Sequence, residues 1–205
     1  TVARELLGKV LVVYEPDDTP VGGIIVETEA YAQDDPASHS FGGPRGRNVV
    51  MFGRPGRAYV YTSYGVHACV NAVCGADGTG EAVLIRALRP LFGVAIQWQR
   101  RYAEPAPEEL ATLEQSAQPA RPPRRVREIA AGPGRLTQAL GITIADNGAS
   151  LQGPRLAIME AEAVPERQVR RSTRIGISKA KERPWRFTIA GCAFLSRPES
   201  RPQRS

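Results

Sequence analysis

The sequence is short of the residues on which several kinds of chemistry depend. Its 205 residues include only three cysteines (Cys69, Cys74, Cys192), two histidines (His39, His67) and three lysines (Lys9, Lys179, Lys181). An odd number of cysteines without a Cys-x-x-Cys spacing gives neither a disulfide framework nor a structural zinc site, and a reducing cytoplasm is the expected compartment. A zinc site on the two histidines would need Cys69, Asp77 or Glu81 to converge with them, a spacing that matches no metal motif, so no metal and no cofactor is expected. The longest apolar runs, such as Val10–Tyr14, are strand-length, and no span of a membrane is expected. No secretory leader is read, and a chain opening on Thr1 rather than methionine is expected to lack a few native residues. There is no Gly-x-Ser-x-Gly elbow, which argues against an esterase built on His39 and a hydroxyl.

What remains is ordinary in bulk and uneven in charge. Hydrophobic residues make up 42% and charged residues 23%, enough for a sizeable core in one domain or two small ones. Residues 1–98 carry 8 Lys and Arg against 10 Asp and Glu, and residues 99–205 carry 19 against 11, so the halves stand at −2 and +8 within a net +6. A basic half suits a polyanion such as nucleic acid; a surface kept soluble by arginine gives the same count.

Patterning predicts short strands on both flanks of a proline-rich segment, hence one mixed α+β domain over 1–205. A short helix over 2–7 is stopped by Gly8. Strands follow over 10–14 and, after a turn at 17–20, over 23–31. A polar loop covers 33–46. Segments 57–63 and 66–73 read as two strands joined by a tight turn at Tyr64-Gly65, and 82–88 as a further strand. Segment 92–102 reads as an amphipathic helix. Segment 103–124, with prolines at 105, 107, 119, 122 and 123, reads as a surface insertion without chemistry. Gly132-Pro133-Gly134 leads into a helix over 135–140 closed by Gly141. Late strands cover 155–160 and 185–189, and the tail after Arg197 is expected to be loose.

Four places gather reactive side chains. Alternation puts Glu27, Glu29 and Tyr31 on one strand face, which is either the wall of a site or a solvated face with salt bridges. Tyr59 and Tyr61 share a face of the next hairpin, and Tyr64 stands at its tip, either folded back or presented for insertion between bases. His67, Cys69 and Asn71 alternate along the return strand. Arg86 lies inside an apolar strand, where an arginine is usually paired with a carboxylate or a phosphate, and Glu29 is an available partner. The turn Gly132-Pro133-Gly134 is either a candidate anion site or an ordinary helix start.

Taken in order, these segments resemble the alkyladenine (3-methyladenine) DNA glycosylase family, as a bacterial-type member. The resemblance is carried by Val26-Glu27-Thr28-Glu29-Ala30-Tyr31, His39-Ser40-Phe41-Gly42-Gly43, Arg47-Asn48, Met51-Phe52, Pro55-Gly56, Tyr59-Val60-Tyr61, Tyr64-Gly65 and Asn71. It continues through Leu84-Ile85-Arg86-Ala87-Leu88 with Pro90, Gly132-Pro133-Gly134-Arg135-Leu136 and Arg174-Ile175-Gly176. It implies a curved antiparallel sheet with a hairpin that enters the minor groove of double-stranded DNA. It implies Glu29 as the base that activates water, with Arg86 and the Ile175 carbonyl holding that water. Tyr31, His39 and Tyr61 would sandwich the flipped base, Asn71 would crowd the amino group of normal guanine, and Tyr64 would fill the gap in the duplex. Phosphate contacts are expected at Gly132, Gly134, Arg135 and Lys179. Segment 103–124 is longer, and the stretch after Gly176 shorter, than the family pattern.

The chemistry stands independently of the resemblance. A purine must leave the stack before its glycosidic bond can be attacked, and aromatic rings with a wedge offset that cost. A methylated purine already carries positive charge and leaves without prior protonation, so one carboxylate can both polarise water and stabilise the cationic sugar. Glu27 competes with Glu29 for that role; Glu29 is preferred because it lies nearer the strand end, beside Tyr31, and because the resemblance selects it. A neutral lesion such as hypoxanthine needs a proton donor that the sequence does not name. No lysine lies in the matching site segments, so no Schiff-base lyase step is expected. The expectation is a monomeric, monofunctional enzyme of the cytoplasm or nucleoid that releases damaged purines of the 3-methyladenine, 7-methylguanine, hypoxanthine and etheno-adenine class. The alternative is a nucleic-acid-binding module without catalysis.

Overall fold

Two long, largely apolar strands lay down the centre of the fold. They are β2 (Pro20–Tyr31) and β5 (Ala82–Phe92), paired antiparallel from Gly22 opposite Phe92 to Tyr31 opposite Ala82. The computed structural model describes residues 1–63, 65, 67–110 and 122–198, with the side chain of Glu109 left aside. The other strands are β1 (Val10–Tyr14), β3 (Ala58–Ser63), β4 (His67–Val73), β6 (Leu156–Met159), β7 (Val169–Ser172) and β8 (Arg186–Ile189). They form one antiparallel sheet in the order β3-β4-β5-β2-β1-β6, with β8 also on β2 and β7 on β8.

The sheet curls because β2 serves two neighbours on one edge. Its first half pairs with β1 and its second, at Glu27 to Glu29, with β8, while β5 runs along the other edge. The β2–β5 register shifts at Gly22/Gly23 and on both sides of Glu27. Such irregularities bend a strand and re-aim its side chains. A Cβ on Gly22 would lie 2.3 Å from the Leu11 carbonyl oxygen, so the approach of β1 there requires glycine.

Helices cover one side of the sheet. In α1 (Val2–Glu5) the Ala3 carbonyl accepts a 2.6 Å hydrogen bond from the Thr28 hydroxyl. Helices α2 (Val94–Tyr102) and α4 (Pro133–Leu140) pack together, and α4 lies on β4, where Thr137 Oγ1 donates to the Ala68 carbonyl at 2.8 Å. Between them α3 (Arg124–Arg127) is a single turn. The main core runs between sheet and helices through Leu11, Ile25, Ile85, Leu88, Leu136 and Leu140. A smaller cluster of Met51, Tyr59, Val73 and Ala82 lies under the loop after β2.

The structure departs from the sequence expectations in instructive places. The 33–46 loop is not simply solvated, because Asp35, Ser38 and Ser40 are buried. Strand β7 was not foreseen; its sequence, Val169-Arg170-Arg171-Ser172, has one apolar residue. The described flanks of the proline-rich segment are anchored, with Leu110 and Val126 in the core and the Tyr102 hydroxyl donating to the Arg125 carbonyl at 2.6 Å. Residues 111–121 of that segment, and the tail from 199, lie outside the described residues. Up to Pro198 the C-terminus is engaged, with Phe194 in the core.

Replacing Gly22 with alanine sets a Cβ against backbone on β1. It should lower the unfolding free energy by about 1–3 kcal/mol, the range for overpacked sites. Urea denaturation checks this, and an unchanged midpoint would contradict the close approach.

Candidate active site

Burying two carboxylates side by side costs several kcal/mol per charge unless cations and hydrogen bonds compensate. Glu27 and Glu29 are both 0% exposed, so the solvated-face alternative for this strand does not hold. Compensation comes from Arg86, on β5 between them. Its Nε donates to Glu27 Oε1 at 3.1 Å and its Nη1 to Glu29 Oε2 at 3.2 Å. Burial works against the Arg86 charge, but Glu29 and then Glu27 outweigh it, and its pKa ends above the ordinary arginine value.

The two carboxylates differ in how fully they are bonded. Glu27 Oε1 also accepts from Arg186 Nε at 2.8 Å and the Ser196 hydroxyl at 2.8 Å, and its Oε2 accepts the Ser196 N–H at 2.6 Å. Glu27 thus accepts four hydrogen bonds among the described residues, three on Oε1 and one on Oε2, and of its donors only Arg86 lines the main cavity. Glu29 accepts three: Arg86 Nη1, the Tyr31 hydroxyl at 2.9 Å on Oε2, and the Ile175 N–H at 2.7 Å on Oε1. One acceptor position on Oε1 is left. The contact recorded at Ile175 is through its amide, where the resemblance implied its carbonyl.

Beside Glu29 lies a cavity of about 550 Å³. All three of its hydrogen-bond donors, Tyr31, Arg86 and Ile175, line that cavity, and so do His39, Tyr61 and Asn71. The structure thus brings together the sequence-predicted residues of the base and pocket groups, with Glu29 directly behind the wall that its partners form. The His39 ring stands edge-on to Tyr61, centroids 4.5 Å apart, and Tyr61 stacks on Tyr59 at 5.4 Å and 27°. His39 Nδ1 and the Tyr59 hydroxyl are 2.9 Å apart, and Asn71 Nδ2 donates to the Tyr59 carbonyl at 3.0 Å.

Burial sets the protonation states around this cavity. Tyr31 is pushed well above the usual phenol range by burial and then by the charge of Glu29, so its hydroxyl keeps the proton it donates. Tyr61 and Tyr59 are raised by burial as well. The Cys69 thiol, also on the wall, is raised by burial and is not a thiolate nucleophile at neutral pH. His39 keeps an open face, yet partial burial and then the Arg47 guanidinium lower its pKa, which favours neutral imidazole.

Other sequence candidates fall at the rim. Lys179 lines the cavity and is exposed, although the sequence placed no lysine in the site segments. Pro133 also lines it. The flanking glycines have packing reasons: Gly132 has φ +123°, and a Cβ on Gly134 would lie 2.8 Å from His67 Cβ. Arg135 is 3.7 Å from Glu128. Tyr64, the expected wedge, lies outside the described residues; its neighbour Gly65 is exposed with φ +72°. Among the described residues no three His, Cys, Asp or Glu side chains converge as a metal site would require, and no helix is long and apolar enough to cross a membrane.

Sequence reasoning missed the groups that hold the walls. Arg174 Nη1 donates to the Ala30 carbonyl at 2.9 Å and pairs with Asp35, both side chains fully buried, while its guanidinium covers the Tyr31 ring at 4.6 Å and Trp185 at 5.2 Å. This pair ties the His39-bearing loop to the Ile175 segment. The one available signal was the place of Arg174 next to Ile175 in a matched motif. Arg186 and Ser196, which complete the bonding of Glu27, carried none.

The chain matches a family model described as methylpurine-DNA glycosylase over residues 1–193. A protein of Rhodopseudomonas palustris (strain HaA2) named "Putative 3-methyladenine DNA glycosylase" is 47% identical over 197 residues, 96% of this chain and 85% of its own. Proteins of the same name from Nitrosospira multiformis and Methanoculleus marisnigri are 46% identical over 202 residues and 43% over 200. They cover 98% and 96% of this chain and 90% and 93% of theirs.

Removing one partner of a buried ion pair leaves the other uncompensated, at about 3–5 kcal/mol. Arg174→Ala should therefore destabilise the fold by about that amount in urea melts. A change within ~0.5 kcal/mol, the range for ordinary surface substitutions, would show that the pair with Asp35 is not buried in solution.

Proposed function

Because the chain belongs to the methylpurine-DNA glycosylase family, we propose that it is a base-excision-repair hydrolase that extrudes alkylated or deaminated purines from duplex DNA and cleaves their glycosidic bond with water. The observation that carries this reading is Glu29, a carboxylate with one acceptor position to spare, whose three donors all line an aromatic cavity.

The extruded purine lies among Tyr31, His39 and Tyr61, whose ring faces offset the cost of unstacking. The low-dielectric setting strengthens the field of Glu29 on the cationic sugar that develops as the bond breaks. Water approaches between Arg86 and the Ile175 backbone. Since Glu29 has no solvent exposure of its own, a small movement of the wall must admit that water. The Tyr31 hydroxyl is the donor that can rotate away without shifting backbone. Glu27, whose donors Arg186 and Ser196 do not line the cavity, serves to hold Arg86 in place rather than to take the proton. Asn71, tethered to the Tyr59 carbonyl and lining the cavity, is proposed to crowd the exocyclic amino group of normal guanine. Tyr64 at the hairpin tip takes the place of the lost base.

Cationic lesions such as 3-methyladenine and 7-methylguanine leave as neutral bases and need no acid; hypoxanthine and etheno-adenine belong to the same purine class. The product is an abasic site, and the enzyme acts as a monomer on nucleoid DNA. Lys179 reaches the cavity rim but is exposed, whereas the lysines of Schiff-base chemistry are desolvated. Borohydride should therefore trap no covalent adduct with lesion DNA; a trapped adduct abolished by Lys179→Ala would overturn the monofunctional reading.

Glu29→Gln keeps the shape of the site and removes the base. It should bind lesion duplex as the parent does and release base at least about 10²-fold more slowly, the lower bound for loss of a general base. Retained release, followed by chromatography of free base, would refute the assignment.

A pH dependence follows from His39. Its folded pKa lies below the ordinary 6.5, so it remains neutral as pH falls through that value and gains charge only below it. An imidazolium beside a cationic purine repels it, so release of 7-methylguanine should hold through pH 6.5 and fall at lower pH. His39→Gln should remove that fall. A decline centred at or above 6.5 in the parent would contradict it.

A further inference from the structure

A second cavity, of about 330 Å³, opens behind the turn that leads into α4. Arg124, Arg127, Glu128, Arg135, Cys192 and Ser196 line it. Three guanidiniums face one carboxylate. Arg124 Nε is 2.7 Å and Arg135 Nη1 3.7 Å from Glu128, so two of the arginines share a single acid. Arg127 Nε is buried and has no hydrogen-bond partner among the described residues. A buried guanidinium nitrogen left without an acceptor is costly, and an oxyanion satisfies it.

The position of this notch matters as much as its charge. Pro133 lines the main cavity, while Ala131 and Arg135 on either side of it line the notch. Ser196 lines the notch and also touches Glu27 and Arg86. Gly134 packs against His67, the first residue of the return strand, at the turn end of the hairpin. Hairpin, main cavity and notch thus meet at the 131–135 turn.

We propose that this notch holds a backbone phosphate of the DNA strand next to the extruded nucleotide, with Arg127 and Arg124 as its ligands and Arg135 at its edge. The assignment rests on the DNA-processing reading above and adds to it a footprint contributed by α3 and the 192–198 segment. The ligand chemistry is that of a phosphate oxyanion. Guanidinium forks match its geometry, and duplex DNA carries about one negative charge per ~1.7 Å of its axis. A nucleotide seated in the main cavity therefore brings phosphates past the rim. With Glu128 shared by two arginines, an incoming phosphate meets a net surplus of positive charge.

The test uses the full chain carrying Glu29→Gln, so that binding is read without turnover. Two short duplexes are titrated over a range of salt, one with a single hypoxanthine and one undamaged. Arg127→Ala should reduce the slope of log K against log salt by about 0.9, one phosphate contact, which is about 3.5-fold less loss of affinity over a fourfold rise in salt. Arg127→Lys should keep the slope. Replacing individual phosphates beside the lesion with neutral methylphosphonate should identify one whose neutralisation weakens the parent but adds nothing to Arg127→Ala. Arg124, whose side chain is 82% exposed, gives a second variant that leaves the fold intact. In that background the same phosphate should again lose its effect.

An unchanged slope in both variants, or methylphosphonate effects that add in full, would overturn the proposal. So would saturation of the notch by inorganic phosphate alone with no change in DNA slope, since that would make it a small-anion site. The excision reading is judged separately by base release. Release with an unchanged slope removes the notch assignment alone, and a shifted slope without release removes the excision reading alone.

Discussion

Arg86 lies between Glu27 and Glu29, and parts of the chain far apart in sequence are held together through that contact. Strand β2 brings the two acids, β5 brings the guanidinium, β8 brings Arg186, and the segments around Ile175 and Ser196 bring backbone amides. Two acids set against two arginines, all buried, form an arrangement that is strong only when complete, because each missing partner leaves a bare charge. Alternation puts both carboxylates on one face of β2, and the register of β2 against β5 shifts on both sides of Glu27 while β1 and β8 pair along its other edge.

The same arrangement separates two chemically identical residues. Glu27 takes four donors, of which only Arg86 lines the cavity; Glu29 takes three, and all of them line it. Environment rather than residue type thus distinguishes the two carboxylates. The proposed reading uses that difference, since a glycosidic bond to a purine that is already charged needs one base and a field, not a pair of acids.

Much of this was legible in the sequence, for identifiable reasons. Alternation in the strand ending at Tyr31 placed Glu27, Glu29 and Tyr31 together, and an arginine within Val83-Leu84-Ile85-Arg86-Ala87-Leu88 required a partner. The pairing of β3 with β4 was legible from the two strand-like segments on either side of Gly65. Less was legible where tertiary contacts overrule local pattern. The 33–46 stretch looks solvated because it is polar, but Asp35 is buried by an arginine 139 residues away. β7 has too little apolar content to read as a strand and exists because β8 offers it an edge. Which glutamate is bonded away from the cavity depends on Ser196 and Arg186, whose sequence surroundings suggest nothing of the kind.

The Asp35–Arg174 pair has a mechanical consequence. It fastens the loop that carries His39 to the segment that carries Ile175, so two sides of the chamber form one unit. Because the same guanidinium lies over the Tyr31 ring and its neighbour Ile175 bonds Glu29, a disturbance of this clasp reaches the carboxylate as well as the walls. On the proposed reading, entry of a purine and its departure therefore draw on the same rigidity that holds the carboxylate in register.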